Sequence, residues 1–240
     1  MAVVTNRDVS SEWSERSFFF LMSLVIAASV VGGFGSWALR GNVGFPVPLY
    51  VHVHGFVFLT WVGLFVTQTT LIRRDQVRLH RMVGGFAVVW AAIMVTVGTI
   101  TVIESVSLDR VPPFFTPTIF LALSFLEVAT FASLLASAIL LRKKSDWHRR
   151  LLLGSTIALL GPAWGRVLPM MALGPFGGIA ILTVLLIYVG AGMTFDVRTR
   201  GSIHPAYYWV MLAIFVEGLT VPVLAATPPI VALATTLTPH

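Results

Sequence analysis

The chain contains no cysteine, which excludes disulfides and thiolate metal sites. Its only lysines, Lys143 and Lys144, stand side by side in a polar stretch, so no lysine inside an apolar run can carry a retinal Schiff base. Charge of either sign is scarce: 11% of the 240 residues are charged, whereas 57% are hydrophobic. A soluble domain of this length has no need of so much apolar surface. The sequence also lacks a Walker loop, a dinucleotide fingerprint, an HExxH pair and a G-x-S-x-G elbow, so it offers no motif for nucleotide, zinc-protease or serine-hydrolase chemistry.

What the chain has instead is a series of apolar runs near residues 17–39, 45–72, 82–103, 114–141, 151–173, 176–195 and 206–226. A helix of about 20 residues crosses a hydrocarbon core of roughly 30 Å. Backbone in lipid must satisfy its own hydrogen bonds, and the runs lack the alternation of barrel strands. They predict an all-α polytopic membrane protein with seven transmembrane helices in a single domain over 1–240. The first run is too long for a signal-peptide core, and its flank mixes Arg7 and Arg16 with Asp8, Glu12 and Glu15. It reads as a retained helix.

The net charge of +6 does not point to nucleic acid, because of where it lies. Arg73, Arg74, Arg78 and Arg81 share one connection, Arg142, Lys143, Lys144, Arg149 and Arg150 another, and Arg198 and Arg200 a third. With Arg7 and Arg16 these are 13 of the 16 basic residues, all at alternate connections. That is the positive-inside pattern. It predicts a cytoplasmic N-terminal segment (1–16), an outer tail (227–240) and residence in the cell's inner membrane, with the lipid bilayer as partner. The opposite loops are rich in proline and glycine, including Pro46, Pro48, Pro112, Pro113, Pro117 and Gly174, which stop helices.

Ionisable residues inside the runs are the functional candidates, since each is costly in hydrocarbon. Counting from the cytoplasmic end at about 1.5 Å per residue, His54 lies about 27 Å up, His52 about 30 Å, Arg166 about 24 Å, Glu127 about 21 Å and Glu217 about 16 Å. Four helices thus carry polar residues into the outer half. Arg166, always protonated, is expected to seek Glu127 or Glu217. His54, Glu127, Arg166 and Glu217 form the candidate cofactor- or ligand-binding set. His52 and His54 with Glu127 form a candidate iron or zinc site. On a regular helix His52 and His54 point about 200° apart, so both serve one site only if the helix start is irregular. Gly55 would allow close approach of another helix or a flat ligand. Ser124, Glu127 and Thr130 share a stripe, and Gly161-Pro162 loosens the fifth helix before Arg166.

A second layer lies at the cytoplasmic face. His80, His148 and His204 each open a helix, and such imidazoles could hold zinc or clamp the iron of a haem b. Gln68 stands within reach of His80. The structural alternative is capping: Asp146 before His148 and Ser202 before His204 read as N-caps. Trp147, Tyr207, Tyr208 and Trp209 read as interfacial belt residues. Asp196, near Arg198 and Arg200, reads as an interfacial salt bridge of little worth. Leu71-Ile-Arg-Arg-Asp leading to Leu79-His-Arg is echoed by Leu140-Leu-Arg-Lys-Lys leading to Trp147-His-Arg, which suggests two similar helical hairpins.

The motif Leu79-His-Arg-Met-Val-Gly84, with His54 and Gln68 before it and His148-Arg-Arg150 and Arg166 after it, resembles a family of uncharacterised bacterial multi-pass membrane proteins. The resemblance covers about residues 50–170. It implies a membrane bundle and no activity. There is also a loose likeness to cytochrome b561-type bundles, which implies histidine-held haems. His80 and His148 match one such pair, whereas no histidine on another helix lies near the height of His54. Three functions remain open from the sequence: an intramembrane metal or cofactor site, with redox chemistry as one use; a proton-coupled transporter or binder of a small molecule or lipid; and an assembly subunit whose polar residues only fasten helices.

Overall fold

The computed structural model describes residues 6–42 and 46–238, with side chains from Glu15 onward. Residues 1–5 of the expected cytoplasmic segment and the last two of the tail lie outside the described residues. Among the described residues all regular structure is helical: α1 (Asn6–Leu39), α2 (Leu49–Arg73), α3 (Val77–Ser107), α4 (Pro117–Leu140), α5 (Ser145–Ala158), α6 (Gly161–Val167), α7 (Met170–Leu173), α8 (Gly177–Arg200), α9 (Pro205–Ala225) and α10 (Pro228–Leu237). Six stretches are long and apolar enough to cross a membrane, the fifth of them running through Met170–Arg200. Leu21, Val31, Leu59, Val89, Ile187 and Leu219 are exposed on them, as suits a surface solvated by hydrocarbon.

The fifth helix expected over 151–173 is not continuous. Pro162 has no N–H for the Ala158 carbonyl, and its ring crowds that carbonyl. The Leu159 and Leu160 amides instead reach back three residues, to Thr156 O at 3.3 Å and Ile157 O at 3.0 Å. Leu168 is extended (ψ 146°), as a residue preceding proline must be. The run therefore divides into α5, α6 and the short α7.

This broken segment is nevertheless the centre of the bundle. Leu151, Leu153, Ile157, Ala158, Leu160 and Ala163 are almost fully buried, enclosed by α1, α4, α8 and α9. Small residues make the enclosure close. A Cβ at Gly33 of α1 would overlap the Ala163 carbonyl of α6, and one at Gly154 would overlap Val210 of α9. Beside this core the α2–α3 hairpin packs on α4 through Val57, Trp61, Ala91, Met94, Phe131 and Leu135. Residues 228–237, expected as an interfacial tail, form a helix whose Ile230 and Ala234 are buried against Val102, Val106 and Leu121.

At the basic end, one guanidinium ties four helices. Arg150 is wholly buried. Its Nε donates to Asp196 Oδ2 at 2.9 Å and its Nη2 to Asp196 Oδ1 at 2.5 Å. Nη2 also donates to Glu15 Oε1 at 3.1 Å, and Nη1 to the Asp146 carbonyl at 3.1 Å. Asp196 Oδ2 accepts the His204 amide at 3.0 Å. Asp196 is thus not a cheap interfacial partner of Arg198 and Arg200: it is fully buried on Arg150, while Arg198 is exposed. The other capping expectations change too. Lys144 precedes α5, so Asp146 sits inside its first turn and pairs with Arg149 and Arg200. The N-cap of α9 is His204, not Ser202; its Nδ1 accepts from Ala206 N at 3.1 Å. Tyr207 is buried in the notch left by Gly192 rather than lying in an interfacial belt.

Removing one partner of a buried pair strands the other charge, at a cost of roughly 3–5 kcal/mol. Asp196→Ala should therefore cause a large drop in thermal stability in detergent, and Arg198→Ala almost none. Overpacking costs roughly 1–3 kcal/mol, so Gly33→Val should lower the melting temperature clearly. Gly35→Val, whose added Cβ would meet open space, serves as the control.

Candidate functional site

Between His54 and Gln68 on α2 the buried Trp61 packs with Met94 and Phe131 of the neighbouring helices. Toward the proline-rich end, α2, α4, α6 and α9 converge. The Glu127 carboxylate lies in the notch at the break between α5 and α6, where a Cβ on Gly161 would overlap its Oε1. Glu217 of α9 is buried, and Thr130 of α4 faces its carboxylate. The two carboxylates are close enough for their charges to interact. Of the stripe Ser124, Glu127 and Thr130, the first and last are buried and Glu127 is partly buried.

Arg166 completes the group from α6. Its Nη1 donates to the Pro162 carbonyl at 2.7 Å, and its guanidinium lies 4.2 Å from the Phe34 ring centroid. Its charge acts on both Glu127 and His54. Among the described residues it closes no hydrogen-bonded pair with either carboxylate, and of the two expected partners only Glu127 is recorded as acting on it. The Arg166 carbonyl in turn accepts from Arg40.

His54 stacks on Phe58 at 4.2 Å, and its buried Nδ1 has no partner. The same holds for Glu217 Oε2 and, one turn before His54, the Tyr50 hydroxyl. Sequence reasoning passed over Tyr50 because a tyrosine at a helix start is an ordinary interfacial residue. α2 starts cleanly after Pro48 and is regular through 52–54, so His52 points away and is exposed. Gly55 faces open space rather than another helix. Among the described residues no three His, Asp or Glu side chains come together in a way that would hold a metal ion. An open cleft of about 270 Å³ adjoins the group, lined by Trp37, Arg40, Gly165, Leu168 and Met170 among others.

At the basic end His80 and His148 each lie in the first turn of a helix, and His204 takes a different role. The buried Gln68 carboxamide donates to the His80 carbonyl at 3.2 Å and to His80 Nδ1, and accepts from Gly84 N at 3.0 Å. The expected Gln68–His80 bond is therefore present. His148 Nδ1 lies 2.8 Å from the Ala138 carbonyl. In both hairpins a histidine opening the second helix bonds back to the end of the first, as the sequence echo suggests. His204, held as an N-cap, meets the Trp147 ring edge-on at 5.1 Å.

Partial burial first, then the charges of Arg150 and Arg200, hold the His204 imidazole below its usual range. The native state therefore binds the proton less readily than the unfolded chain does. The stabilisation is complete above the unfolded value, about 6.5, and is lost as the pH falls below it. Melting temperature should decline on acidification through that range, and His204→Asn, which keeps an N-cap acceptor, should flatten that part of the profile. Comparison with protein-family models, with characterised proteins and with solved structures finds no match to this chain, so its group of facing carboxylates, arginine and histidine has to be read from its own chemistry.

Proposed function

We propose that the protein is a proton-coupled carrier or binder of a small molecule. It crosses the inner membrane seven times, with its basic face in the cytoplasm and α5 and α6 together serving as the fifth crossing. From Ser145 to Val167 these two helices would reach about 34 Å at 1.5 Å per residue. The observation that carries the reading is the pair of interacting carboxylates, Glu127 and Glu217, with the Arg166 guanidinium acting on Glu127 at a broken helix, and with buried acceptor atoms left unpaired. Two carboxylates and one arginine sum to −1, and in a medium of low dielectric the group balances when one proton is held between the acids. A proton and a ligand group compete for, or share, the same acceptors. The cleft beside Arg40 and Gly165 would give access from one face, and the buried cluster of Trp61, Met94 and Phe131 would bar the other. Interrupted helices at the membrane midplane are the usual setting for such sites.

A second reading, a metal ion or haem bound in place of the proton, is favoured only by the unpartnered Nδ1 of His54. In liposomes carrying a pH-sensitive dye, wild-type protein should move protons, and Glu127→Gln should abolish the flux. Gly161→Ala should depress it strongly without altering any charge, because the added methyl displaces the Glu127 carboxylate. Stoichiometric iron or zinc lost on His54→Ala would assign the centre to metal instead. Indifference of flux and metal content to all three changes would leave an assembly role.

A further inference from the structure

Arg40 is the one charged side chain in the wall of the cleft beside Gly165. At the opposite end of the bundle Arg149, Arg150 and Arg200 are each matched to carboxylates. Among the described residues Arg40 meets two carbonyls and an indole, and no carboxylate. Its Nε donates to Ser36 O at 3.1 Å, one turn back along α1, and its Nη2 donates to the Arg166 carbonyl. Its guanidinium carbon lies 5.6 Å from the Trp37 ring centroid. A long basic side chain at the end of a membrane helix ordinarily reaches outward to the headgroups. This one is folded back along its own helix, over the cleft. One N–H of Nη2 and both of Nη1 are left over, and the Nη1–Nη2 edge is a geometry that takes a carboxylate through two parallel bonds.

The rest of the wall is apolar. Trp37 comes from the end of α1, Phe114 from the connection between α3 and α4, and Leu168, Met170 and Met171 from the turn after α6. That turn exists because Leu168 is extended before Pro169, so the chain leaves the line of α6 just beyond Gly165. The cleft measures about 270 Å³, near the lower end of the roughly 300–1,000 Å³ of small-molecule sites. It suits one ring or a short chain, and is too small for the body of a two-chained lipid. One unit of positive charge in an apolar wall matches a single negative charge on an apolar body. A phosphate monoester would bring a second charge, and the wall has no second cation to meet it.

We propose that this cleft binds small apolar carboxylic acids as their anions, with the carboxylate on the free edge of Arg40 and the apolar body against Trp37, Phe114, Met170 and Met171. The inference rests on the carrier or binder reading above and names the class of molecule it concerns. The chemistry of the two fits together: a carboxylate that moves inward with one proton carries no net charge, and so avoids the cost of placing an ion in hydrocarbon.

The test uses full-length protein in phosphatidylcholine nanodiscs, titrated calorimetrically at neutral pH with benzoate and with benzamide, its uncharged counterpart of the same shape. Wild-type protein should bind benzoate and clearly prefer it to benzamide. Arg40→Gln should weaken benzoate binding by roughly tenfold or more, the loss expected for charge-assisted hydrogen bonds, and remove the preference. Arg110→Gln, on the same face but outside the wall, should leave both affinities unchanged. Phe114→Ala should weaken both ligands together. Equal binding of benzoate and benzamide, or equal effects of Arg40→Gln and Arg110→Gln, would overturn the proposal. So would displacement of benzoate by an equal concentration of dihexanoylphosphatidylglycerol, which would assign the Arg40 edge to a lipid phosphate. If Arg40→Gln fails to fold, the wild-type preference and Phe114→Ala decide. Binding is read without a gradient, so the two readings fail separately. Benzoate binding without proton flux would sink the carrier and leave the cleft, and flux without benzoate binding would do the reverse.

Discussion

Arg150 is the charge on which the bundle depends. A guanidinium out of contact with solvent is tolerable only if its donors are filled by acceptors of opposite charge, and here these come from two distant places in the chain. Glu15 brings α1, Asp196 brings α8, and the same Asp196 oxygen that binds Arg150 also receives the amide that begins α9. Apolar helices in lipid have little hydrophobic reason to choose one neighbour over another. This ion cluster supplies that choice, fixing which helices meet α5 at the basic end. Contacts such as Gly33 with Ala163 then bring them close along their length.

The position of α5 has a consequence for the other end. Because the helix enters at a fixed point and is gripped on all sides, its break at Gly161-Pro162 is held in one place rather than being absorbed by a gradual bend. The notch that results is occupied by the Glu127 carboxylate. Structural and candidate functional polar groups are therefore two parts of one helix run: a satisfied cluster at its start, and a group with unpaired acceptors beside its interruption.

Depth could be read in the sequence, and direction around the helix could not. Hydropathy placed the long helices and the basic connections, and helical rise placed Glu127, Arg166, Glu217 and His54 at neighbouring levels. Gln68 and His80 were legible because a short turn forces their helices together. Asp196 was misread because nearness in sequence to Arg198 and Arg200 says nothing about which side of α8 it occupies. His204 was misjudged for a related reason, since Ser202 is the commoner cap and only the backbone shows that α9 begins at Pro205. The run over 151–173 looked like one helix because its composition is uniformly apolar. Pro162 and Pro169 were visible, but whether a proline bends or divides a helix depends on its neighbours.

The layer of Trp61, Met94 and Phe131 has an electrical meaning. In a bilayer, polar groups that admit water carry little of the potential difference, and a dry apolar layer carries most of it. A positive charge carried the whole way across would do about 2.3 kcal/mol of work per 100 mV. Under the proposed carrier reading, the buried side chains that join α2, α3 and α4 are where much of that work would be done.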